Sequence, residues 1–144
     1  MVGDGAERPP QQNMNDSQRD ELTRSALEAQ KQAYCPYSEF PVGAALQTAS
    51  GKIFQGANVE NASYGLANCA ERVAVGAAVA AGEREFTAIA VVSRGGVSPC
   101  GACRQVLAEF APNLQILMVN SLDTSEVHIA TLDQLLPGRF EGPQ

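Results

Sequence analysis

The sequence predicts an α/β layered domain with a mixed sheet, on three observations. Segments with helical spacing alternate with short strand-like segments. Ala88-Ile89-Ala90-Val91-Val92 is continuously apolar, as expected of a central strand covered on both faces. The 144 residues contain no internal repeat and suit one domain, whose single core is large enough to fold alone.

Residues 1–16 are rich in Gly, Pro, Gln and Asn, offer little to bury, and are expected to form a disordered arm before a single domain over 17–144. Asp16 or Ser17 is the candidate cap of a first helix, which the apolar positions Leu22, Ala26, Ala29 and Ala33 extend to about Tyr34, before Pro36. Val42–Thr48 and Ile53–Asn58 flank Ser50-Gly51 as a hairpin and deliver Asn58-Val59-Glu60-Asn61 to a loop. Cys69 to about Ala81 reads as a mostly buried Ala/Val helix stopped by Gly82. Phe86–Ser93 is the central strand. After the Arg94–Ser98 loop, a helix runs from Cys100 or Gly101 to Phe110 with Val106, Leu107 and Phe110 inward. Strands Gln115–Val119 and Glu126–Ala130 and a short helix within Thr131–Leu136 complete the chain.

Hydrophobic residues at 44% and charged residues at 18% exclude a disordered chain. The net charge of −6 opposes attraction to nucleic-acid phosphates and anionic membranes, so neither is an expected partner, and a small neutral substrate fits better. No apolar run is long enough to span a bilayer, and Met1–Ser17 lacks the pattern of a secretory signal, so a cytoplasmic location is expected. Thiols there stay reduced, which favours metal binding or catalysis for the four cysteines over disulfides.

Cys69-Ala70-Glu71 and Pro99-Cys100-Gly101-Ala102-Cys103 carry the chemistry. Cys100 and Cys103, three apart at a helix start, place both sulfurs on one side of the first turn. The positive end of a helix favours thiolate over thiol. Cys69 precedes another helix, and two such starts facing each other would surround a zinc ion with three thiolates and leave a fourth position for water, the pattern of a catalytic site. Glu71, two residues beyond a ligand, is placed to exchange protons with that water. Zinc with three thiolates carries a formal charge of −1, and Arg72 and Arg104 are the candidates to offset it, with Arg72 favoured as a donor to the sulfurs.

Each residue has a plainer reading. The Cys100/Cys103 pair alone would also suit a redox dithiol or a structural zinc knuckle. Cys35 as a fourth ligand would make the site structural, but between Tyr34 and Pro36 it reads as a buried apolar filler. His128, the only histidine, lies in a short strand with no expected catalytic role. Asn58 and Glu60 by themselves read as loop residues satisfying backbone groups, and Phe40 and Phe140 as core.

The two motifs, separated by 27 residues, match the zinc deaminase signature, with cysteine where nucleic-acid-editing members carry histidine. From about Ala33 to Phe140 the chain resembles the small tetrameric cytidine deaminases. Tyr34–Ser38, Phe40–Ala45, Asn58–Tyr64, Arg104-Gln105-Val106 and Leu135-Leu136-Pro137 carry the likeness beside the zinc motifs. The resemblance implies a three-layer α/β/α fold around a central mixed five-stranded sheet. It implies one Zn2+ per subunit on Cys69, Cys100 and Cys103, and hydrolytic deamination of cytidine and 2′-deoxycytidine with Glu71 as proton shuttle. It further implies that Asn58 and Glu60 bind the ribose, that Phe40 packs on the nucleoside, and that the Ala70 backbone holds the pyrimidine. A homotetramer with shared sites is implied too, Phe140 and more weakly Tyr64 closing over the base. Rival readings are a deaminase of another cytosine-containing molecule such as a nucleoside antibiotic, a nucleic-acid editor, and a non-enzymatic zinc-stabilised module.

Overall fold

The computed structural model describes residues 14–143. The expected arm therefore lies outside the described residues over 1–13, and its last three positions differ from expectation. Met14 is buried, and Asn15 caps the first helix, α1 (Asp16–Gln30). The cap falls before Asp16 because Asn15 and Gln18 exchange reciprocal bonds: Gln18 N donates to Asn15 Oδ1 at 2.8 Å and Asn15 N to Gln18 Oε1 at 2.9 Å. The helix also ends at Gln30 rather than near Tyr34. Tyr34 instead pairs with the segment after the hairpin, its N–H donating to Asn58 O at 2.9 Å and its carbonyl accepting from Glu60 N at 2.8 Å.

The hairpin strands β1 (Gly43–Thr48) and β2 (Ile53–Ala57) turn at Gly51, whose φ of 92° suits glycine. Next come α2 (Ala70–Ala80), β3 (Phe86–Ser93), α3 (Gly101–Phe110), β4 (Gln115–Asn120), β5 (Val127–Thr131) and α4 (Leu132–Leu135). The five strands form one sheet in the order β2-β1-β3-β4-β5, with only β3 and β4 parallel. A β-strand points successive side chains to opposite faces, and the three central strands use both. Ala44, Leu46, Ile89, Val91, Ile116 and Met118 pack with α2, α3 and α4. Ala45, Ala88, Ala90, Val92, Leu117 and Val119 pack under Leu22 and Ala26 of α1. The result is a three-layer α/β/α domain with a mixed five-stranded sheet.

Two glycines let the helices lie directly on the strands. A Cβ on Gly43 would stand 2.1 Å from Ala26 O of α1, and one on Gly56 would stand 2.2 Å from Ala70 O of α2, both inside atomic contact. Gly56 thus fixes the start of α2 against the end of β2. Gly56→Ala is expected to destabilise the fold by about 1–3 kcal/mol, read as a lower midpoint in chemical or thermal unfolding. An unchanged midpoint would mean that α2 can move off the strand freely.

Candidate metal centre and active site

The strand register gathers one end of the sheet. Gly43 stands opposite Ala57 on one side and Val92 on the other, so the start of β1 and the ends of β2 and β3 lie together. The segments leaving these strand ends build the site, in the position where open α/β sheets hold ligands. Cys69 is the N-cap of α2 and Cys100 the N-cap of α3, while Cys103 lies in the first turn of α3 and is fully buried.

The three sulfurs fall within 4.8 Å of one another. Cys69 Sγ is 3.9 Å from Cys100 Sγ, which is 3.4 Å from Cys103 Sγ, and all are free thiols. Three sulfurs on one tetrahedral zinc at roughly 2.3 Å each would lie about 3.8 Å apart, so spacing and donor type both fit that ion. Cys100 Sγ also accepts from Cys103 N–H at 3.4 Å. No fourth side chain joins the group among the described residues. Cys35, expected as a buried apolar filler, is half-buried, and it stays outside the cluster.

Of the two candidate arginines, Arg72 meets the sulfurs. Its Nη2 donates to Cys69 Sγ at 3.3 Å, and its Nε is buried without a hydrogen-bond partner among the described residues. Arg104 is occupied elsewhere, with Nε on Pro99 O at 2.8 Å, Nη1 on Leu135 O at 2.7 Å and Nη2 on Ser98 Oγ at 2.9 Å. It braces the loop before α3 against α4. Hydrogen bonding from Cys103 and Arg72 holds the Cys69 thiol down at about 5, against its own burial. The same contact with Cys69, together with burial, pushes the Cys103 thiol up.

Glu71, in the first turn of α2, is only 4% exposed, and this burial pushes its carboxyl up to about 7. It lines a cavity of about 280 Å³ together with Cys69, Cys100 and Ala70, and the same cavity carries Phe40, Asn58 and Glu60.

The model of the cytidine and deoxycytidylate deaminase zinc-binding region matches residues 16–118, well over half of the chain. This chain belongs to the cytidine and deoxycytidylate deaminase family. A cytidine deaminase from Sporosarcina psychrophila is 47% identical over 123 residues, covering 84% of this chain and 90% of that protein. The crystal structure of cytidine deaminase from Burkholderia pseudomallei has a TM-score of 0.81 at 49% identity, covering 88% of this chain and all of that one. A more distant relative, blasticidin-S deaminase from Bacillus cereus, is 31% identical over 137 residues, covering 88% of this chain and 95% of that protein. The Cys₃ cluster of this deaminase family member is accordingly a zinc site.

The remaining expected residues of the deaminase are placed unevenly. Asn58 bridges two strand ends, accepting from Val42 N at 2.9 Å through Oδ1 and donating from Nδ2 to Phe40 O at 3.0 Å. Glu60 Oε1 accepts from Tyr37 N at 3.0 Å and Ser38 N at 3.1 Å, and Oε2 from the Ser38 hydroxyl. Ser38, through its hydroxyl first, therefore holds the Glu60 carboxyl below the usual carboxylate range. Both residues satisfy backbone groups, as the plainer reading has it, and both also face the cavity. Tyr64 and Phe140 do not line this cavity. Tyr64 is 78% exposed beside a neighbouring hollow that shares Ser38, Glu60 and Ala67 with it, and Phe140 is 71% exposed. His128 is exposed on the edge strand β5, outside the metal cluster.

Ser38, Asn68, Val97 and Ser98, none of them an expected contact, also line the cavity. Ser38 stands inside a motif segment and Asn68 directly before a ligand, which are the only signals that point to them. Arg72→Gln is expected to retain the fold but to release zinc to a chelator roughly 10- to 100-fold faster, followed with a colorimetric zinc indicator. Release at the unmodified rate would remove Arg72 from the support of the centre.

Proposed function

We infer that this chain is a zinc-dependent hydrolase that converts cytidine to uridine with release of ammonia, acts also on 2′-deoxycytidine, and serves pyrimidine salvage in the cytoplasm. The observation that carries this reading is that Glu71, Cys69 and Cys100, and the polar pair Asn58 and Glu60 line one cavity. Its size lies at the small end of ligand sites.

The zinc ion, when bound, supplies the Lewis acidity that makes a water molecule nucleophilic near neutral pH. Glu71 takes a proton from the attacking water and gives it to ring N3, while the C4–O bond forms. From the tetrahedral carbon, Glu71 then carries the remaining hydroxyl proton to the amino group, the C4–N bond breaks, and ammonia leaves as the C4 carbonyl forms. One carboxylate thus serves as base and acid in turn. Its burial on α2 keeps it out of bulk water during both transfers.

Asn58 and Glu60 are our proposed ribose contacts, Glu60 acting as an ionised acceptor for a sugar hydroxyl. Phe40 packs on the nucleoside, and the Ala70 backbone holds the pyrimidine. A nucleoside suits this cavity better than a nucleotide, because Glu60 and Glu71 line it and no lysine or arginine does among the described residues. A homotetramer is part of the proposal, with Tyr64 and Phe140 serving a neighbouring subunit's site. Their high exposure in the single chain supports that role. A second reading, deamination of a nucleoside antibiotic, is favoured by the likeness to blasticidin-S deaminase.

Glu71→Gln is expected to keep one zinc per chain and the native circular dichroism spectrum while losing roughly 10²- to 10⁴-fold in turnover, followed by the absorbance change of cytidine deamination. Full activity in that variant would end the assigned role. Turnover of blasticidin S in preference to cytidine would transfer the reading to the antibiotic.

A further inference from the structure

The loop that carries Phe40 is held from one direction that the chemistry above does not use. Arg94, on the loop that leaves β3, donates from Nη2 to Glu39 O at 3.2 Å and lies over the Phe40 ring, with Cζ 5.2 Å from its centroid. Glu39 between these contacts has a φ of 55°, and among the described residues it is the single non-glycine residue on the positive side. Such a conformation is unfavourable for glutamate and persists only where surrounding contacts impose it. The Phe40 N–H donates to Ser38 Oγ at 3.1 Å, the Phe40 carbonyl accepts from Asn58, and the ring is left for Arg94.

We propose that Arg94 is a positioning residue for nucleoside binding, holding the Glu39–Phe40 turn so that the Phe40 ring presents a fixed wall to the substrate. The geometry joins the two sides of the cavity. The segment that begins at Arg94 continues to Val97, Ser98 and Cys100, three residues that line the cavity, so the guanidinium ties the zinc-side loop to the loop carrying Phe40. One side chain does this with two different interactions. A carbonyl hydrogen bond fixes the backbone of the turn, and a cation–π contact fixes the ring. Arg94 does not itself line the cavity, so it acts through Phe40 and is not a catalytic residue.

The proposal rests on Phe40 being a nucleoside contact, and the experiment separates the two. Cytidine kinetics are measured for the unmodified protein, Arg94→Gln, Arg94→Lys, Phe40→Ala and Arg94→Gln/Phe40→Ala, with thermal unfolding of each. Arg94→Gln is expected to raise KM roughly 3- to 10-fold, with kcat changed less than about twofold and the unfolding midpoint unchanged. Arg94→Lys, which keeps the cation, is expected to recover part of the loss. On the Phe40→Ala background the Arg94→Gln change should have no further effect, the non-additivity expected of residues acting as a unit. An unchanged KM in Arg94→Gln, a fall in kcat alone, or additive effects in the double variant would overturn the proposal. If Phe40→Ala raises KM and Arg94→Gln does not, Phe40 stands as a contact and Arg94 falls. If Phe40→Ala is silent, both fall.

Discussion

Two helix N-termini converge on one point, and three sulfurs stand where they meet. Cys69 is the N-cap of α2, Cys100 is the N-cap of α3 and Cys103 lies in the first turn of α3, so the positive ends of both helices face the same small volume. Thiolates are tolerated there, and a metal that binds three of them clamps two helices that the sheet alone would hold less tightly. Arg72 adds a cation against the excess negative charge of such a centre. Glu71 is carried on the same first turn as Arg72, so the helix that delivers a ligand and a counter-charge also delivers the buried carboxylate.

That convergence depends on how closely α2 lies on the sheet. Gly56 has no side chain, and the carbonyl of Ala70 occupies the space where one would be. The first turn of α2 therefore sits against the end of β2, two residues before Asn58. Gly43 does the same for α1 at the start of β1. The opposing wall is built from polar contacts instead of packing: Asn58 and Glu60 bind the backbone of residues 37–42, and Arg94 reaches across from the loop after β3. One side of the cavity is thus set by steric contact and the other by a hydrogen-bonded loop.

Most of the fold is legible in the sequence because its periods are strong. The span Phe86–Ser93 is read without error, since an unbroken apolar run suits a strand buried on both faces. The α1 boundaries are misread at both ends for reasons outside local periodicity. Its start is set by an exchange between Asn15 and Gln18, and its end by the pairing of Tyr34 with residues 58–60. Arg72 and Arg104 each directly follow a motif residue, and the sequence favours Arg72 as the donor to sulfur. In the fold Arg72 points to sulfur and Arg104 to the carbonyls that brace α3.

The sequence by itself determined the metal-binding chemistry of this protein. Cys69, Glu71, Cys100 and Cys103 lie within one helical turn of two helix starts, where spacing along the chain dictates direction in space. The tertiary structure alone decided how distant residues are brought to that chemistry. Phe40, Asn58 and Glu60 reach the cavity through strand register, Arg94 meets Phe40 across 54 positions of chain, and Tyr64 and Phe140 stay outside it. Contacts between residues so far apart are set by how sheet and helices pack, and no local pattern encodes them.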